Sequence, residues 1–205
     1  MTPQRPPRGL SDAVRMWISD YAPARRHGSW RGAVRAWLAR ADLRAGRLTA
    51  FQLHHPERVR RVVFVCLGNI CRSAYAQRVA ADIGMQCASI GLSTTTGAAS
   101  PDAARHAATR AGVNLNAHRA TDIRDFSIQP GDLLLAMEPR HARTLQRYLA
   151  GRPDIQIALL GLWCQPPTPH LHDPYTLSDA YFDLCFARIR QAVLRLHHCL
   201  PRSAP

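Results

Sequence analysis

The sequence predicts an α/β protein in which helices cover both faces of a parallel β-sheet. Continuous apolar runs, such as 62–65 and 132–137, have the length and composition of strands buried on both faces. Stretches with helical periodicity alternate with these runs, as expected when a helix joins each strand to the next. Glycines close several of these stretches, Gly84 and Gly112 among them. Ligands bind such sheets at the carboxyl ends of the strands, where the strand order reverses, which points to the loop after Val65.

The first 58 residues are expected to form a helical extension. Residues 1–10 contain three prolines and are predicted to be a disordered tail. Ser11 can cap a short helix, and Ser29 can cap a second helix that ends near Ala45. The second helix is predicted to be amphipathic and basic. Its apolar side carries Val34, Trp37, Leu38 and Ala41, and most of its other side is formed by Arg31, Arg35, Arg40 and Arg44.

From residue 59 onward the pattern changes to alternating strands and helices. The predicted strands are residues 62–65, 86–90, 132–137 and 155–160. The predicted helices are residues 73–83, 101–112, 138–149 and 177–198. A polar, threonine-rich loop at 93–100 and a long loop rich in proline and histidine at 163–175 complete this part of the chain.

Composition sets the broad class of the protein. A length of 205 residues suits one domain with a full hydrophobic core and an appendage. No run approaches the length of a membrane span and no secretory signal is recognisable, so a cytoplasmic location is expected. The six cysteines form no C-x-x-C pair, which argues against a zinc site of the finger or ribbon type. We therefore expect no metal and no cofactor.

The net charge of +13 is unevenly distributed and does not by itself indicate a nucleic-acid partner. All 27 basic residues are arginines, and this bias reflects genome composition as readily as selection for charge. Residues 1–61 carry 13 arginines against 4 acids, whereas the rest of the chain carries 14 against 10. The basic character therefore belongs mainly to the first segment.

The loop after the first strand has the composition of a phosphate cradle. It reads Cys66-Leu67-Gly68-Asn69-Ile70-Cys71-Arg72-Ser73 and precedes a helix, so backbone N–H groups and the helix dipole converge there. Arg72 can offer a bidentate fork to two phosphate oxygens. The same field favours a thiolate at Cys66, and Ser73 can donate a hydrogen bond to it. Gly68 and Asn69 tolerate the left-handed backbone that a tight cradle requires.

The stretch from Val65 to Ser73 resembles the signature of the low-molecular-weight protein tyrosine phosphatases, in their bacterial form. Asp173-Pro174-Tyr175 is similar to the general-acid loop of that family. The resemblance covers about residues 60–198 and implies a four-stranded sheet of order 2-1-3-4 with the phosphate loop after strand 1. We therefore predict an extension at 1–58 and a catalytic domain at 59–200.

The resemblance implies a role for each matching residue. Cys66 is the nucleophile, Arg72 binds the phosphoryl group and stabilises the transition state, and Asp173 is the general acid and then the general base. His118 supports the loop by bonding to its asparagine, and Tyr175 forms a wall of the site. The remaining cradle residues are Leu67, Gly68, Asn69, Ile70, Cys71 and Ser73. Cys71 is either a partner in a protective disulfide with Cys66 or a packing residue, and the sequence leaves both open.

Two departures from the family pattern point to the bacterial branch. Residues 93–97 read Ser-Thr-Thr-Thr-Gly and lack the aromatic side chain that many eukaryotic members use against the phosphotyrosine ring. Thr176 stands where a second tyrosine often follows Tyr175. Bacterial members often serve tyrosine kinases of exopolysaccharide and capsule synthesis, which makes such a kinase a candidate protein substrate by analogy.

Two other functions are compatible with parts of the sequence. Arsenate reductases of the same fold share the C-x5-R loop but need a relay of further cysteines, for which Cys87 stands alone. A phosphate- or anion-binding regulatory protein would act through its basic N-terminal segment, by contact of residues 1–58 with nucleic acid, an anionic membrane surface or a partner. The simpler interpretation of Trp17, Trp30 and Trp37 is that they dock this segment onto the catalytic domain.

Overall fold

A four-stranded parallel sheet forms the centre of the protein in a computed structural model, which describes residues 26–201. The strands are β1 (Arg61–Cys66), β2 (Cys87–Gly91), β3 (Asp132–Ala136) and β4 (Gln156–Leu159). They lie in the order β2-β1-β3-β4, and every neighbouring pair is parallel. The predicted fold class and strand order are therefore confirmed.

Five α-helices that lie wholly within residues 26–201 accompany the sheet, and their bounds lie within a few residues of the predicted ones. They are α1 (Trp30–Arg44), α2 (Arg72–Asp82), α3 (Asp102–Arg110), α4 (Pro139–Tyr148) and α5 (Asp179–Cys199). Helix α5 begins two residues later than predicted because the Ser178 side chain caps it by accepting from the Tyr181 amide. The tail predicted at 1–10 and the short helix predicted after Ser11 lie outside the described residues.

Strand β1 is buried on both faces because its side chains alternate between two hydrophobic clusters. Val62 and Phe64 pack with residues of α2, α3 and α5. Val63 and Val65 pack on the opposite face with residues of α4. Burial of each such side chain contributes roughly 1.5–3 kcal/mol, so both faces hold the strand that carries Cys66 in place.

The connections bring four loops together at the carboxyl edge of the sheet. The loop after β1 leads directly into α2, and the end of β3 leads into α4. The Leu171 amide donates to the Met137 carbonyl at 2.9 Å, which fixes the long loop before α5 beside β3. The Gly91 amide donates to the Thr121 carbonyl at 2.8 Å and fixes a fourth segment beside β2. Because the strand order reverses between β1 and β3, a crevice opens at this point.

Helix α1 packs with the opposite face to the one that its composition suggests. Its buried residues are the small Gly32, Ala36 and Ala39, whereas Trp30 and Trp37 are 68% and 66% exposed. A Cβ atom on Gly32 would lie 2.6 Å from Cδ2 of His172, so only glycine permits this close approach. The interpretation that Trp30 and Trp37 dock the extension is therefore wrong, and Trp17 lies outside the described residues. Between residues 26 and 201, no helix is both long and apolar enough to span a membrane.

Candidate active site

The loop from Cys66 to Ser73 forms a tight turn between the end of β1 and the start of α2. Asn69 has a φ of 51°, in the left-handed region that the cradle was expected to need, whereas Gly68, the other residue expected to serve there, does not have a positive φ. Among the described residues, no carbonyl or side chain accepts a hydrogen bond from the amides of Leu67, Gly68, Ile70, Cys71 and Arg72. Backbone donors of this kind, grouped at the N-terminus of an eleven-residue helix, form a binding site for an anion.

The thiol of Cys66 lies at the base of this turn and is only 3% exposed. Its Sγ accepts from the Asn69 amide at 3.2 Å and lies 3.0 Å from Oγ of Ser73. Because Ser73 Oγ already accepts from Nδ2 of Asn69 at 2.8 Å, its own proton is available for the sulfur. Two hydrogen-bond donors, on Asn69 and Ser73, are therefore directed at this one sulfur.

Asn69 holds the turn in this shape through every polar atom of its side chain. Besides Ser73, its Nδ2 donates to Oγ of Ser89 at 2.8 Å, and its Oδ1 accepts from the Thr121 amide at 2.9 Å. Nε2 of His118 lies 2.7 Å from the Asn69 carbonyl, so this nitrogen carries the proton. Desolvation by burial lowers the pKa of His118, which is consistent with a neutral ring in a supporting position.

Arg72 is 1% exposed and binds three groups on other segments. Nη1 donates to the Glu138 carboxylate at 2.5 Å and to the Leu171 carbonyl at 2.9 Å. Nη2 donates to Oδ2 of Asp173 at 2.6 Å. Burial opposes the charge of Arg72, but Asp173 and Glu138 outweigh it and raise its pKa, so the guanidinium stays charged. The buried Nε is left with no hydrogen-bond acceptor among the described residues.

Glu138 is the most important site residue that the sequence analysis missed. It is fully buried at the N-cap of α4, two residues after the end of β3. Burial acts against its charge, but Arg72 holds the pKa of this carboxyl well below its usual range, with help from His141, His170 and Arg140. The available signal was an acidic residue at the carboxyl end of a central strand, where side chains reach the ligand site.

Asp173 reaches the cradle from the long loop before α5. Its Oδ2 is held by Arg72, and its Oδ1 accepts from the Tyr175 amide at 3.2 Å. The side chain remains 34% exposed, so a ligand in the cradle can reach it. The large apolar side chains exposed on the two loops are Leu67 and Tyr175, at 42% and 53%. The structure therefore brings Cys66, Arg72 and Asp173 into one site.

The threonine-rich segment braces the cradle. Oγ1 of Thr94 donates to the Gly68 carbonyl at 2.8 Å, and the Thr94 amide donates to Asp122 at 3.0 Å. Asp122 is buried, and its hydrogen bonds to Arg124 hold the pKa of the carboxyl far below its ordinary value. The Asp122 amide in turn donates to Oγ1 of Thr96 at 3.0 Å. These contacts explain the hydroxyl side chains of Thr94 and Thr96, because an aromatic ring at either position could not make them.

Two histidines connect the site to helix α1. Nδ1 of His170 lies 3.6 Å from Oε2 of Glu138, and its Nε2 lies 3.3 Å from Nδ1 of His172. Nε2 of His172 lies 3.2 Å from Oγ of Ser29, the residue that caps α1. The chain of contacts from Ser29 to Arg72 thus passes through residues immediately before Asp173. The sequence pattern predicts this stretch only as a loop rich in proline and histidine.

Acid is expected to unfold this protein through the histidines buried beside Glu138. Burial lowers the pKa of His170 to about 4 and that of His141 to about 3. Both rings are neutral in the fold but protonate near pH 6.5 once unfolded, so stability falls as pH drops from about 6.5 to 4. Each histidine contributes about 2 kcal/mol to this loss. The loss is measured as the difference between the free energies of unfolding obtained from urea titrations at pH 7 and at pH 4.5.

His170→Gln should reduce the difference in unfolding free energy between pH 7 and 4.5, whereas His54→Gln, at an exposed position, should leave it unchanged. An equal pH dependence in wild type and His170→Gln would contradict this assignment. Protonation of Glu138 acts in the same direction, because the lowered pKa of this carboxyl also makes the free energy of unfolding decrease as the pH falls. Some pH dependence will therefore persist in the variant.

Comparison with known proteins agrees with this geometry. The family model "Low molecular weight phosphotyrosine protein phosphatase" matches residues 61–204. A probable low molecular weight protein-tyrosine-phosphatase, AmsI of Erwinia amylovora, is 28% identical over 148 residues, which cover 70% of this chain and 99% of the relative. Wzb of Salmonella typhi, of the same description, is 28% identical over 64% of this chain and 88% of its own.

Solved structures show the same relationship. The crystal structure of the Erwinia amylovora tyrosine phosphatase AmsI superposes with a TM-score of 0.59 at 29% identity, over 70% of this chain and 95% of that one. The structure of Wzb from Escherichia coli K30 in complex with sulphate superposes with a TM-score of 0.59 at 28% identity, over 69% of this chain and 98% of that one. The YwlE arginine phosphatase of Geobacillus stearothermophilus, at 19% identity and 0.59, shares the fold. This chain belongs to the low molecular weight phosphotyrosine protein phosphatase family.

Proposed function

We propose that this protein hydrolyses phosphotyrosine through a cysteinyl-phosphate formed on Cys66. The observation that carries the proposal is the buried thiol at the base of a ring of amides that lack acceptors. Next to these amides, the buried Nε of Arg72 also has no hydrogen-bond acceptor among the described residues. A phosphate dianion supplies acceptors for all of these donors, and its charge is favoured at the N-terminus of a helix.

In the first step the Cys66 thiolate attacks phosphorus in line with the leaving oxygen. An S–P bond forms, the P–O bond to the phenol breaks, and Asp173 gives its proton to the leaving oxygen. The loop amides and Arg72 stabilise the charge on the equatorial oxygens. In the free protein Arg72 holds the Asp173 carboxylate at 2.6 Å. The incoming phosphate replaces that carboxylate on Arg72, and the released Asp173 takes up a proton from solvent, which it then gives to the leaving oxygen.

In the second step water attacks the cysteinyl-phosphate. Asp173, now ionised, takes a proton from the water while the S–P bond breaks and the sulfur leaves as a thiolate. Inorganic phosphate is released and the cycle closes. Asn69 and Ser73 each direct a hydrogen bond at the sulfur, which makes it a better leaving group.

The substrate part of the proposal is a phosphotyrosine side chain on a protein. Leu67 and Tyr175 offer exposed apolar surface for an aromatic ring beside the cradle. A tyrosine kinase of exopolysaccharide or capsule synthesis is the partner that we propose, and it implies a cytoplasmic location. The names of relatives such as AmsI and Wzb identify tyrosine phosphatases and support the reaction class.

Arsenate reduction is not favoured by the positions of the other cysteines. Burial raises the pKa of the Cys87 thiol to about 11 and that of Cys185 to about 12, so neither is a thiolate at neutral pH. Burial also raises the pKa of Cys71. The protective disulfide between Cys71 and Cys66 stays a prediction, which mass spectrometry after peroxide treatment can check.

The role of Asp173 predicts how the rate depends on the leaving group. Asp173→Asn should lower kcat for phosphotyrosine about 10²- to 10³-fold. The reason is that the tyrosine phenolate is a poor leaving group, which needs a proton from Asp173. The loss should be much smaller for p-nitrophenyl phosphate. Steady-state kinetics on both substrates test this, with Asp82→Asn, a surface ion-pair residue on α2, as the control. Equal losses on the two substrates would remove Asp173 from the acid role.

A further inference from the structure

The solvent side of helix α1 is an apolar strip. Its large side chains Trp30, Val34, Trp37 and Leu38 are 68%, 48%, 66% and 50% exposed. At 3.6 residues per turn, these four positions fall within about 100° of the helix circumference. A surface helix ordinarily turns such a strip toward the core. Here the core side is made of small residues, so the strip has no packing role among the described residues.

A basic cleft lies along each side of this strip. The larger one, of about 670 Å³, joins Arg40 and Arg44 of α1 to Arg26, His27 and Arg188, and no described acidic residue lines it. Burial lowers the pKa of His27, and the nearby Arg188, Arg40 and Arg26 lower it further, as expected where positive charge is concentrated.

The cleft on the other side, of about 300 Å³, joins Arg35 to Arg140 and Arg143 of α4. It also contains two acids, Asp42 and Glu138. Asp42 is bound to Arg47 and Arg143, and Glu138 to Arg72 and Arg140. Arginines from α1 and from the body therefore flank the apolar strip on both sides.

We propose that this face of α1 is a docking surface for an anionic lipid bilayer. Tryptophan favours the interface between lipid and water, aliphatic side chains enter the acyl region, and flanking arginines bind lipid phosphates. Val34 and Leu38 favour a bilayer over single-stranded nucleic acid, whose bases would stack on the tryptophans but gain little from aliphatic groups. Docking uses none of Cys66, Arg72 and Asp173, so it is independent of the proposed catalysis.

Sedimentation of the full-length protein with vesicles tests this proposal. Vesicles of phosphatidylcholine with about 30% phosphatidylglycerol should bind the protein at least about tenfold more strongly than pure phosphatidylcholine, and added salt should weaken that binding. Tryptophan fluorescence should shift to the blue on binding. Trp30→Ser with Trp37→Ser, and separately Arg40→Gln with Arg44→Gln, should each weaken binding about tenfold.

Matched variants separate docking from general effects of charge or hydrophobicity. Leu194→Ser removes an exposed apolar side chain elsewhere, and Arg78→Gln with Arg105→Gln removes two charges that line neither cleft. These variants should bind vesicles like wild type. The tryptophan variant should hydrolyse p-nitrophenyl phosphate in solution at the wild-type rate, which shows that it is folded. The proposal is overturned if anionic vesicles do not bind at low salt, if the controls lose as much as the test variants, or if the tryptophan change alters only self-association.

Discussion

Cys66→Ser is expected to abolish hydrolysis of phosphotyrosine, with kcat lower by about 10⁴-fold or more. A serine hydroxyl stays protonated at neutral pH and lacks the intrinsic nucleophilicity of a thiolate. The two hydrogen bonds that reach Sγ from Asn69 and Ser73 favour an anion that serine does not supply. The nearby Asp173 is the leaving-group acid and is bound to Arg72, so no described contact lets it act as a base for this residue.

Rapid quenching with radiolabelled substrate provides the measurement. Wild type should carry label on Cys66 during turnover, and Cys66→Ser should carry none on the turnover timescale. Cys87→Ser makes the same chemical change at the start of β2 and should keep its activity. Cys66→Ser should still be stabilised by inorganic phosphate in thermal unfolding, since the amides and Arg72 remain. Activity that survives in Cys66→Ser would falsify the proposed mechanism.

Arg72→Lys is expected to lower kcat/KM about 10³-fold, although the charge is conserved. The guanidinium holds Glu138, Leu171 and Asp173 with two nitrogens and keeps a third nitrogen free for the ligand. A lysine ammonium is a point charge on a flexible stem and cannot offer this planar fork. If it pairs with Glu138, it is no longer placed on the equatorial oxygens of the phosphoryl group.

Arg140→Lys is the matched control, because Arg140 binds the same Glu138 carboxylate from the half-exposed side. Its kcat/KM should stay within a few-fold of wild type. Phosphate should raise the melting temperature of the control but not that of Arg72→Lys. If the two variants lose similar activity, the loss comes from a weakened contact with the Glu138 carboxylate. It would then not come from a lost contact between Arg72 and the phosphoryl group.

The parts of the site that the residue pattern itself predicts are those encoded by neighbouring residues, whereas Asp173 and His118 were predicted only by the family resemblance. Cys66, Arg72 and the turn between them lie within one short loop, and the flanking strand and helix have clear periodicities. His170 was not predictable, and the sequence marks Glu138 only as an acid near the carboxyl end of a central strand, because the contacts of both residues are with segments distant along the chain. The loop that carries His170 has no regular periodicity from which its path could be derived.

The sequence predicted the existence of helix α1 and its start after Ser29, but not which side of it faces the protein. Periodicity alone assigns the large apolar side to the core. The structure instead uses Gly32, Ala36 and Ala39 there, since the helix approaches His172 too closely for larger side chains. Close packing by small residues has a weak hydrophobic signal and is therefore hard to recognise in a single sequence.

The contacts of the extension with the sheet also bear on the order in which the chain is made. Leu48 and Phe51 are buried in the same cluster as Leu159 of β4, and the backbone of His55 exchanges two hydrogen bonds with the Gln156 side chain. At about 5–20 residues per second, a ribosome completes β4 roughly 5–20 seconds after Phe51. The extension emerges first, whereas β4 is the last strand to be made, so the contacts of Leu48 and Phe51 with Leu159 form only at the end of that interval.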